Sequence, residues 1–374
     1  MNPTPVEFPQ SNPDCCLNLI GAAEARGVLL GNFLGDCLHA ERALEVDAAR
    51  VRLFEALLAR HAPEWLEEVC GFARAASIPV ENLLFANCRP QAPNQFYLGG
   101  CTSFLIVGDA SADGHPLLMK IRDEAPHPQY WARSGGDDRQ CLFGTNSGNL
   151  GWAHFSNSHG LAGGTNTGSP ITGLPANPAL SDCHVLRFVA ERARDCHEAL
   201  EVLGDVLARG ICGTAGYKKG VVFLFADVAG RGLVVELCPD RMVHRFVGSG
   251  SWVYANHFLL EESRSFTDFS RYAEIPLQSS HTRYKRGLEL IGQAGGRISV
   301  DCLKSISRDK QNGHFAICND SDAFPWRTLS SFIHHLHPQA PVVHVCNGSP
   351  SKAEYRQEAI PLACPPQPAA GATP

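Results

Sequence analysis

A cysteine set between glycines and hydroxyl residues is the side chain in this sequence best suited to nucleophilic chemistry. The stretch reads Gly99-Gly100-Cys101-Thr102-Ser103, and an apolar run follows it. Glycine tolerates the strained backbone that brings a thiolate against the carbonyl of the preceding residue. Attack of Cys101 on the Gly100 carbonyl would give a thioester, and hydrolysis would leave Cys101 as a new amino terminus. The same pattern is typical of a buried cysteine at the start of a strand, so the rest of the chain must decide.

An amino-terminal cysteine carries its own base, because an α-amine has an unperturbed pKa of about 8 and is partly neutral at pH 7. It needs a carboxylate to orient the amine, and Asp123 ends the strand predicted to pair with residues 102–107. Uncharged donors stabilise an oxyanion, and Asn166 and Asn256 both end predicted strands. Each of these three residues is equally typical of a strand end or a turn when taken alone.

Two blocks of secondary structure surround these residues. Apolar residues at helix spacing predict helices through residues 17–96, and from Cys101 the period becomes that of strands. The predicted elements after Cys101 are a hairpin of 102–107 and 116–123, strands in 148–155 and 160–165, a helix over 181–208, a meander from 220 to 255, a helix over 282–294, and last strands at 328–335 and 342–346. Helices and antiparallel strands in separate blocks favour an α+β layered fold.

Composition narrows the classes of partner. Charged residues make up 19% of the chain and the formal net charge is -6, so we expect no nucleic acid and no membrane surface as partner. No apolar run approaches about 18 residues, and the first residues lack the apolar segment of a signal peptide, which predicts a soluble cytoplasmic protein.

The cysteine and histidine patterns predict no metal and no cofactor. The 15 cysteines lack C-x-x-C spacing and are typical of reduced thiols. His334, His335, His337 and His344 come nearest to a metal cluster, but the spacing of the first three would scatter the rings on a helix.

Short motifs follow one another along most of the chain. They are Trp65-Leu66-Glu67-Glu68-Val69-Cys70-Gly71-Phe72-Ala73, Asn87-Cys88-Arg89, Gly100-Cys101-Thr102, Asn157-Ser158-His159-Gly160-Leu161-Ala162 with Thr165-Asn166, Gly173-Leu174-Pro175, Ala255-Asn256-His257, Ser280-x-x-Arg283-x-x-Arg286, and Phe315-Ala316-Ile317-Cys318 with Arg327 beyond it. Their order and spacing resemble the penicillin acyltransferase family of autoproteolytic amino-terminal-nucleophile enzymes. That family includes isopenicillin-N acyltransferases, and conjugated bile acid hydrolases are more distant relatives.

The resemblance implies a four-layer αββα sandwich with two antiparallel sheets between helices. It also implies self-cleavage between Gly100 and Cys101. Residues 1–100 would then be a helical small subunit packed on the same fold, and residues 101–360 the catalytic segment. The Pro/Ala-rich residues 361–374 are predicted to be a disordered tail.

The resemblance also implies roles for single residues. Cys101 would be the nucleophile and its α-amine the base, with Asp123 holding that amine and Asn166 and Asn256 forming the oxyanion hole. Arg327 would serve autoprocessing or bind a substrate carboxylate. Candidate substrate-binding residues beside the nucleophile are Thr102 and Lys120.

The implied substrate is a small acyl amide or an acyl-CoA-type thioester, with water or an amine as acceptor of the acyl group. One departure from the family pattern is Ile121, which stands two residues before Asp123 where relatives usually have asparagine. It leaves open a binding protein that keeps the fold without catalysis. The sequence is also compatible with a Cys-His hydrolase that uses His257 as base without self-cleavage, and with a structural or interaction protein.

Overall fold

The computed structural model describes residues 16–35, 38–89, 100–125, 127, 129–136, 139–146, 150–172, 178–214, 218–271, 274–321, 326–360 and 362–363. Residues 90–99, which precede the proposed cleavage point, and the Gly173-Leu174-Pro175 motif lie outside these ranges. So does the predicted tail, apart from residues 362–363.

Helices dominate the part of the chain before Gly100. Its described elements are β1 (Leu17–Ile20), α1 (Ala23–Leu34), α2 (His39–Arg42), α3 (Ala48–His61), α4 (Pro63–Ala76) and α5 (Val80–Cys88). Local sequence sets several of the ends. The Asp47 carboxylate caps α3 by accepting from the amides of Ala49 and Arg50, and Pro63 opens α4 at a position that needs no N–H. The prediction of helix from residue 17 was wrong for β1, which pairs with a later strand.

Strands dominate from Gly100 onward. The described elements are β2 (Gly100–Val107), β3 (Leu117–Glu124), β4 (Gln129–Gly135), β5 (Gln140–Asn146), β6 (His154–Asn157), β7 (Leu161–Pro170), α6 (Asp182–Ala190), α7 (Cys196–Ala208), β8 (Lys219–Asp227), β9 (Gly232–Cys238), β10 (Arg241–Val247), β11 (Gly250–Tyr254), α8 (Glu274–Gln293), α9 (Val300–Ser307), β12 (Arg327–His335), β13 (Val342–Asn347) and β14 (Arg356–Ala359). A 3-10 helix, Glu261–Phe266, lies between β11 and α8.

The described strands form two sheets. One has eight strands in the order β1-β4-β5-β6-β7-β8-β9-β10, and the other has six in the order β11-β2-β3-β12-β13-β14. Neighbouring strands are antiparallel except β1 and β4, which are parallel. The predicted hairpin is confirmed as β2 paired with β3. The meander was only partly right, because β11 leaves it and pairs with β2 in the other sheet.

Three apolar clusters set the order of the layers. Helices α1 and α3 to α7 pack on one face of the eight-stranded sheet. Leu105 and Val107 of β2 meet Val222 and Leu224 of β8 between the two sheets, and α9 covers the opposite face of the six-stranded sheet together with residues of α8. The described chain is therefore an αββα sandwich, and the predicted fold class is confirmed.

Several other elements differ from the sequence prediction. The helix predicted over 181–208 is two helices, because Ser181 caps α6 and Asp195 caps α7 separately. Helix α8 begins at Glu274, eight residues before the predicted start. Strands β4 and β5 were not predicted, and β14 follows the strands predicted to be last. The described helices include none long and apolar enough to cross a membrane.

A buried ion pair joins the N-terminal helices to the rest of the sandwich. Glu68 of α4 accepts from Arg187 of α6 at 2.7 and 2.9 Å, and Arg187 also donates to Glu191 at 2.7 Å. Trp65 donates its indole N–H to the same Glu191 at 2.8 Å. Burial acts to raise the pKa of Glu68, but Arg187 and Arg26 outweigh it and hold that pKa below its usual value. The helices before Gly100 therefore share one core with the strands after it.

Candidate active site

The register of β2 decides which way the side chains around Cys101 face. Gly100 lies opposite Asp123 and Cys101 opposite Arg122 in the β2–β3 pairing. Side chains alternate along a strand, so Cys101 and Ser103 face the eight-stranded sheet while Thr102 faces α8. The contacts agree with this, because Ser103 bonds to a residue of β7 and Thr102 to a residue of α8. Cys101 is partly exposed.

Asn256 and Arg283 hold the backbone of Cys101 from two sides. The amide of Cys101 donates to Asn256 Oδ1 at 2.9 Å, and Arg283 Nη1 donates to the Cys101 carbonyl at 2.5 Å. Arg283 also donates to Asn256 Oδ1 at 2.8 Å, to the Thr102 hydroxyl at 3.0 Å and to Ser279 at 3.3 Å. One buried guanidinium thus ties α8 to the first two residues after the proposed cleavage point.

The closeness of Arg283 explains the glycine at position 100. A Cβ there would lie 2.5 Å from Arg283 Nη2, 2.9 Å from its Cζ and 3.1 Å from Asn256 Oδ1. The guanidinium is buried and has four hydrogen-bond partners, so it has little freedom to retreat. Only glycine fits at this position without moving the site.

Asp123 lies on the same face of the six-stranded sheet as Thr102, beneath α8. Its Oδ1 accepts from the Thr328 hydroxyl at 2.6 Å. Burial raises the pKa of Asp123 to about 6, although Arg283 and the hydrogen bond from Thr328 act to lower it. Burial in turn lowers the pKa of the Arg283 guanidinium, and Asp123 acts against that shift. The two groups therefore form a buried, electrostatically coupled pair beside the start of β2.

Asn166 bridges the two sheets. It lies inside β7, not at a strand end as predicted. Its Oδ1 accepts from Ser103 at 2.8 Å and from Lys120 Nζ at 2.7 Å, and its Nδ2 donates to the carbonyl of Ala255 at 3.0 Å and to that of Tyr254 at 3.4 Å. Both ends of this amide are thus engaged with the protein, and Asn166 fixes the end of β11 next to Asn256.

The Asn256 amide has a different pattern of partners. Its Nδ2 donates to the Thr167 carbonyl at 2.9 Å, and its backbone N–H donates to Ser280 Oγ at 2.7 Å. An amide NH2 carries two hydrogens, and the described contacts account for one of them. Asn256 thus touches Cys101 through its oxygen and retains an N–H for an oxyanion.

The three predicted substrate-binding residues, Thr102, Lys120 and Arg327, have no described contact with the Cys101 side chain. Thr102 and Lys120 are both buried and bonded to site residues, Thr102 to Arg283 and Lys120 to Asn166 and the Thr165 carbonyl. Arg327 begins β12 opposite Glu124, one residue before Thr328. A contact of these residues with substrate stays a prediction.

Ile121 and His257 both bear on the functions that need no self-cleavage. Ile121 is buried in the core under α8 and α9, opposite Thr102, where an asparagine would have to find polar partners. The His257 ring bonds through Nδ1 to Ser280 at 2.7 Å and lies against His281 and Tyr284. Burial lowers the pKa of His257 to about 3, with His281 and Arg283 acting in the same direction. Among the described contacts, none joins His257 to Cys101.

Sequence reasoning missed two residues at this site. Arg283 belongs to the Ser280-x-x-Arg283 motif but was given no role, and the single arginine chosen, Arg327, does not bond to Cys101 among the described contacts. Thr328 carried no signal in the sequence, because a threonine in a strand is ordinary.

Comparisons with known proteins give remote similarities. No protein-family model matches the chain. Among solved structures, a mutant of conjugated bile acid hydrolase from Clostridium perfringens shares 9% identity, with 68% of this chain and 96% of that chain covered and a TM-score of 0.43. Penicillin V acylase from Agrobacterium tumefaciens shares 12% identity over 66% of this chain and 83% of that one, with a TM-score of 0.41. The Caenorhabditis elegans ortholog of N-acylethanolamine-hydrolyzing acid amidase shares 10% identity over 63% and 93%, again with a TM-score of 0.41.

Proposed function

We propose that this chain is a self-processing cysteine enzyme of the amino-terminal-nucleophile type, related to the penicillin acyltransferases, that cleaves or forms amide bonds of a small acyl amide or acyl thioester. The observation that carries the proposal is that Asn256 accepts from the nitrogen of the Gly100–Cys101 peptide while Arg283 donates to the next carbonyl, that of Cys101. A side chain is excluded at Gly100 by the same arginine. An ordinary buried cysteine at a strand start has no need of such an arrangement.

The first step of the proposed chemistry is self-cleavage. Cys101 Sγ attacks the Gly100 carbonyl carbon, a C–S bond forms, and the C–N bond breaks as the nitrogen takes the thiol proton. Water then hydrolyses the thioester. This leaves a carboxylate on Gly100, and a free thiol and a free α-amine on Cys101. Asn256 Oδ1, which accepts from this nitrogen before cleavage, keeps an N–H to accept afterwards.

Turnover then uses the new amine as the base. Arg283 lies next to Cys101, and a positive neighbour disfavours the protonated form of an amine. The amine takes the thiol proton, and the thiolate attacks the substrate carbonyl to give an acyl-enzyme and an oxyanion. The amine returns the proton to the leaving group, and water or an amine acceptor then takes the acyl group.

The surrounding residues have supporting roles in this proposal. The remaining N–H of Asn256 donates to the oxyanion, and Asn166 holds the backbone beside it through Ala255. Asp123 is electrostatically paired with Arg283, and through that arginine it helps to position the amine of Cys101. After cleavage, residues 1–100 stay bound as a small subunit because the Glu68–Arg187 pair and the shared apolar core do not depend on the cut bond.

The test is the intact mass of the purified protein under denaturing conditions. The parent should give two fragments that divide between Gly100 and Cys101, and Cys101→Ala should give one chain. Cys302→Ala is the matched control, since Cys302 is another partly exposed cysteine and lies in α9. This variant should be cut like the parent. An uncut parent chain would refute the proposal, and cleavage at another bond would refute the role of Cys101.

A further inference from the structure

A cavity of about 410 Å³ opens next to the candidate active site. That volume falls in the range of small-molecule pockets, roughly 300–1,000 Å³. Its walls come from the end of β7, the segment after Asn256 and the 3-10 helix that follows, and they consist of Ser169, Phe258, Leu259, Leu260, Glu261, Arg264, Thr267 and Phe269.

The cavity is tied to Asn256 by two hydrogen bonds between the same pair of segments. Asn256 Nδ2 donates to the Thr167 carbonyl at 2.9 Å, and two residues further along both segments the amide of Phe258 donates to Ser169 Oγ at 2.8 Å. Thr167 and Ser169 lie in β7, where two residues span about 7 Å. The cavity therefore lies close to Asn256, the residue that bonds to the Cys101 amide.

One wall of the cavity is apolar and rigid. The Phe258 ring packs directly on the backbone of β7 and β8, where a Cβ at Gly168 or Gly220 would come within 2.5 or 2.4 Å of it. Leu259 and Leu260 extend this wall, and Phe269, which is 57% exposed, adds a second aromatic ring to the lining. These side chains suit an aliphatic or aromatic chain.

The charged residues of the cavity are one cation, Arg264, and one acid, Glu261. The Arg264 guanidinium lies 5.9 Å from the centre of the Phe269 ring, and no carboxylate of the described residues lies within 4.0 Å of it to form an ion pair. Glu262, an acid on the same 3-10 helix as Arg264, forms its ion pair with Arg245 of β10 instead. Glu261 also lines the cavity, and both Glu261 and Arg264 are exposed to water. An arginine beside an apolar wall is suited to a carboxylate carried by an apolar chain.

We propose that this cavity binds a small amphipathic carboxylate, with its chain on Phe258 and Phe269 and its carboxylate on Arg264. The inference deepens the proposed function, on which its catalytic meaning rests. The substrate would be an acyl amide or thioester that carries a carboxylate at the end of an apolar arm. Arg264, rather than Arg327, would be the residue that selects it.

The experiment is calorimetric titration of the full chain with octanoate and with octan-1-ol, which share the apolar chain and differ in charge. Octanoate should bind more tightly than octan-1-ol. Arg264→Met should weaken octanoate by about tenfold, the loss of one charge-assisted hydrogen bond at a partly solvated site, and leave octan-1-ol within about twofold. Arg264→Lys should restore most of the affinity, and Phe269→Ala should weaken both ligands.

Two further variants sharpen the result. Arg245→Met is the matched control, since it removes an exposed arginine that already has its own acid, and it should leave both affinities unchanged. Glu261→Gln should tighten octanoate only. Failure of octanoate to bind at millimolar concentration, or equal losses for both ligands in Arg264→Met, would overturn the inference.

Titration of Cys101→Ala separates this inference from the proposed enzyme, because binding needs no thiol. If the parent chain is never cut but Arg264-dependent octanoate binding is found, self-processing is refuted and the carboxylate site stands. A chain that is cut but shows no such binding would refute only the carboxylate site.

Discussion

Replacing Gly100 by alanine tests whether the arginine beside the scissile peptide positions it for cleavage. The new Cβ would lie 2.5 Å from Arg283 Nη2, whereas ordinary contacts begin at 3.4 Å. Either the backbone at position 100 or the Arg283 guanidinium must therefore move by about 0.9 Å (3.4 − 2.5). Arg283 cannot yield alone without lengthening its bonds to the Cys101 carbonyl and to Asn256, at 2.5 and 2.8 Å.

The size of the effect follows from those bonds. Loss of one charge-assisted hydrogen bond costs about 1.5–3 kcal/mol, which corresponds to a rate lower by about 10- to 150-fold if the bond is needed in the transition state. A displacement of about 1 Å in a reacting geometry gives a similar factor, about 100-fold. We therefore expect self-cleavage of Gly100→Ala to be about 100-fold slower than that of the parent.

The assay is a time course of intact mass after cell-free synthesis, with the cut fraction measured at each time. Gly292→Ala is the matched control, because Gly292 lies in the same helix as Arg283 and a Cβ there meets no atom within 4 Å. It should be cut at the parental rate. Cleavage of Gly100→Ala as fast as the parent would show that Arg283 does not position the peptide.

Three other predictions concern the supports of the site. Arg187→Met leaves the Glu68 carboxylate buried without its main partner, so urea denaturation should show a loss of about 3–5 kcal/mol; Arg209→Met, which removes an exposed pair, should change stability by less than about 1 kcal/mol. The pKa of Asp123 is raised to about 6 in the folded chain, above the unfolded value of about 3.9. The folded state therefore binds more protons between those values, and stability should fall by about 3 kcal/mol as pH rises from about 4 to about 7. Asp123→Asn should remove that part of the slope, and an unchanged pH profile would contradict the assignment. His257→Ala should turn over acyl amide at a rate within about threefold of the parent, since the proposed base of turnover is the α-amine of Cys101; an uncut, inactive chain would favour the Cys-His hydrolase.

Local sequence predicted those parts of the site that depend on neighbours along the chain. The glycine before Cys101 and the hairpin that sets Asp123 near the start of β2 both act over a few residues. Helix periodicity found α3 and α4 for the same reason. It failed at β1, a short strand whose partner lies far along the chain.

Pairings between distant segments were not predictable from pattern alone. Strand β11 looks like the fourth strand of a meander, but it pairs with β2 because the second sheet offers an edge there. Asn166 was expected at a strand end, yet it lies inside β7 and joins the two sheets through Ser103 and Ala255. An amide side chain has the same local pattern in either role.

The sequence by itself determined the nucleophile candidate, the layered α+β class and the strand that sets Asp123 opposite Gly100. Only the tertiary structure decided which arginine faces Cys101. Arg283 bonds to the Cys101 carbonyl across 182 positions, and Thr328 bonds to Asp123 across 205. Such contacts exist because packing of α8 and β12 against β2 and β3 excludes water and forces buried polar groups to find one another. A local sequence pattern cannot predict which distant residue becomes the partner.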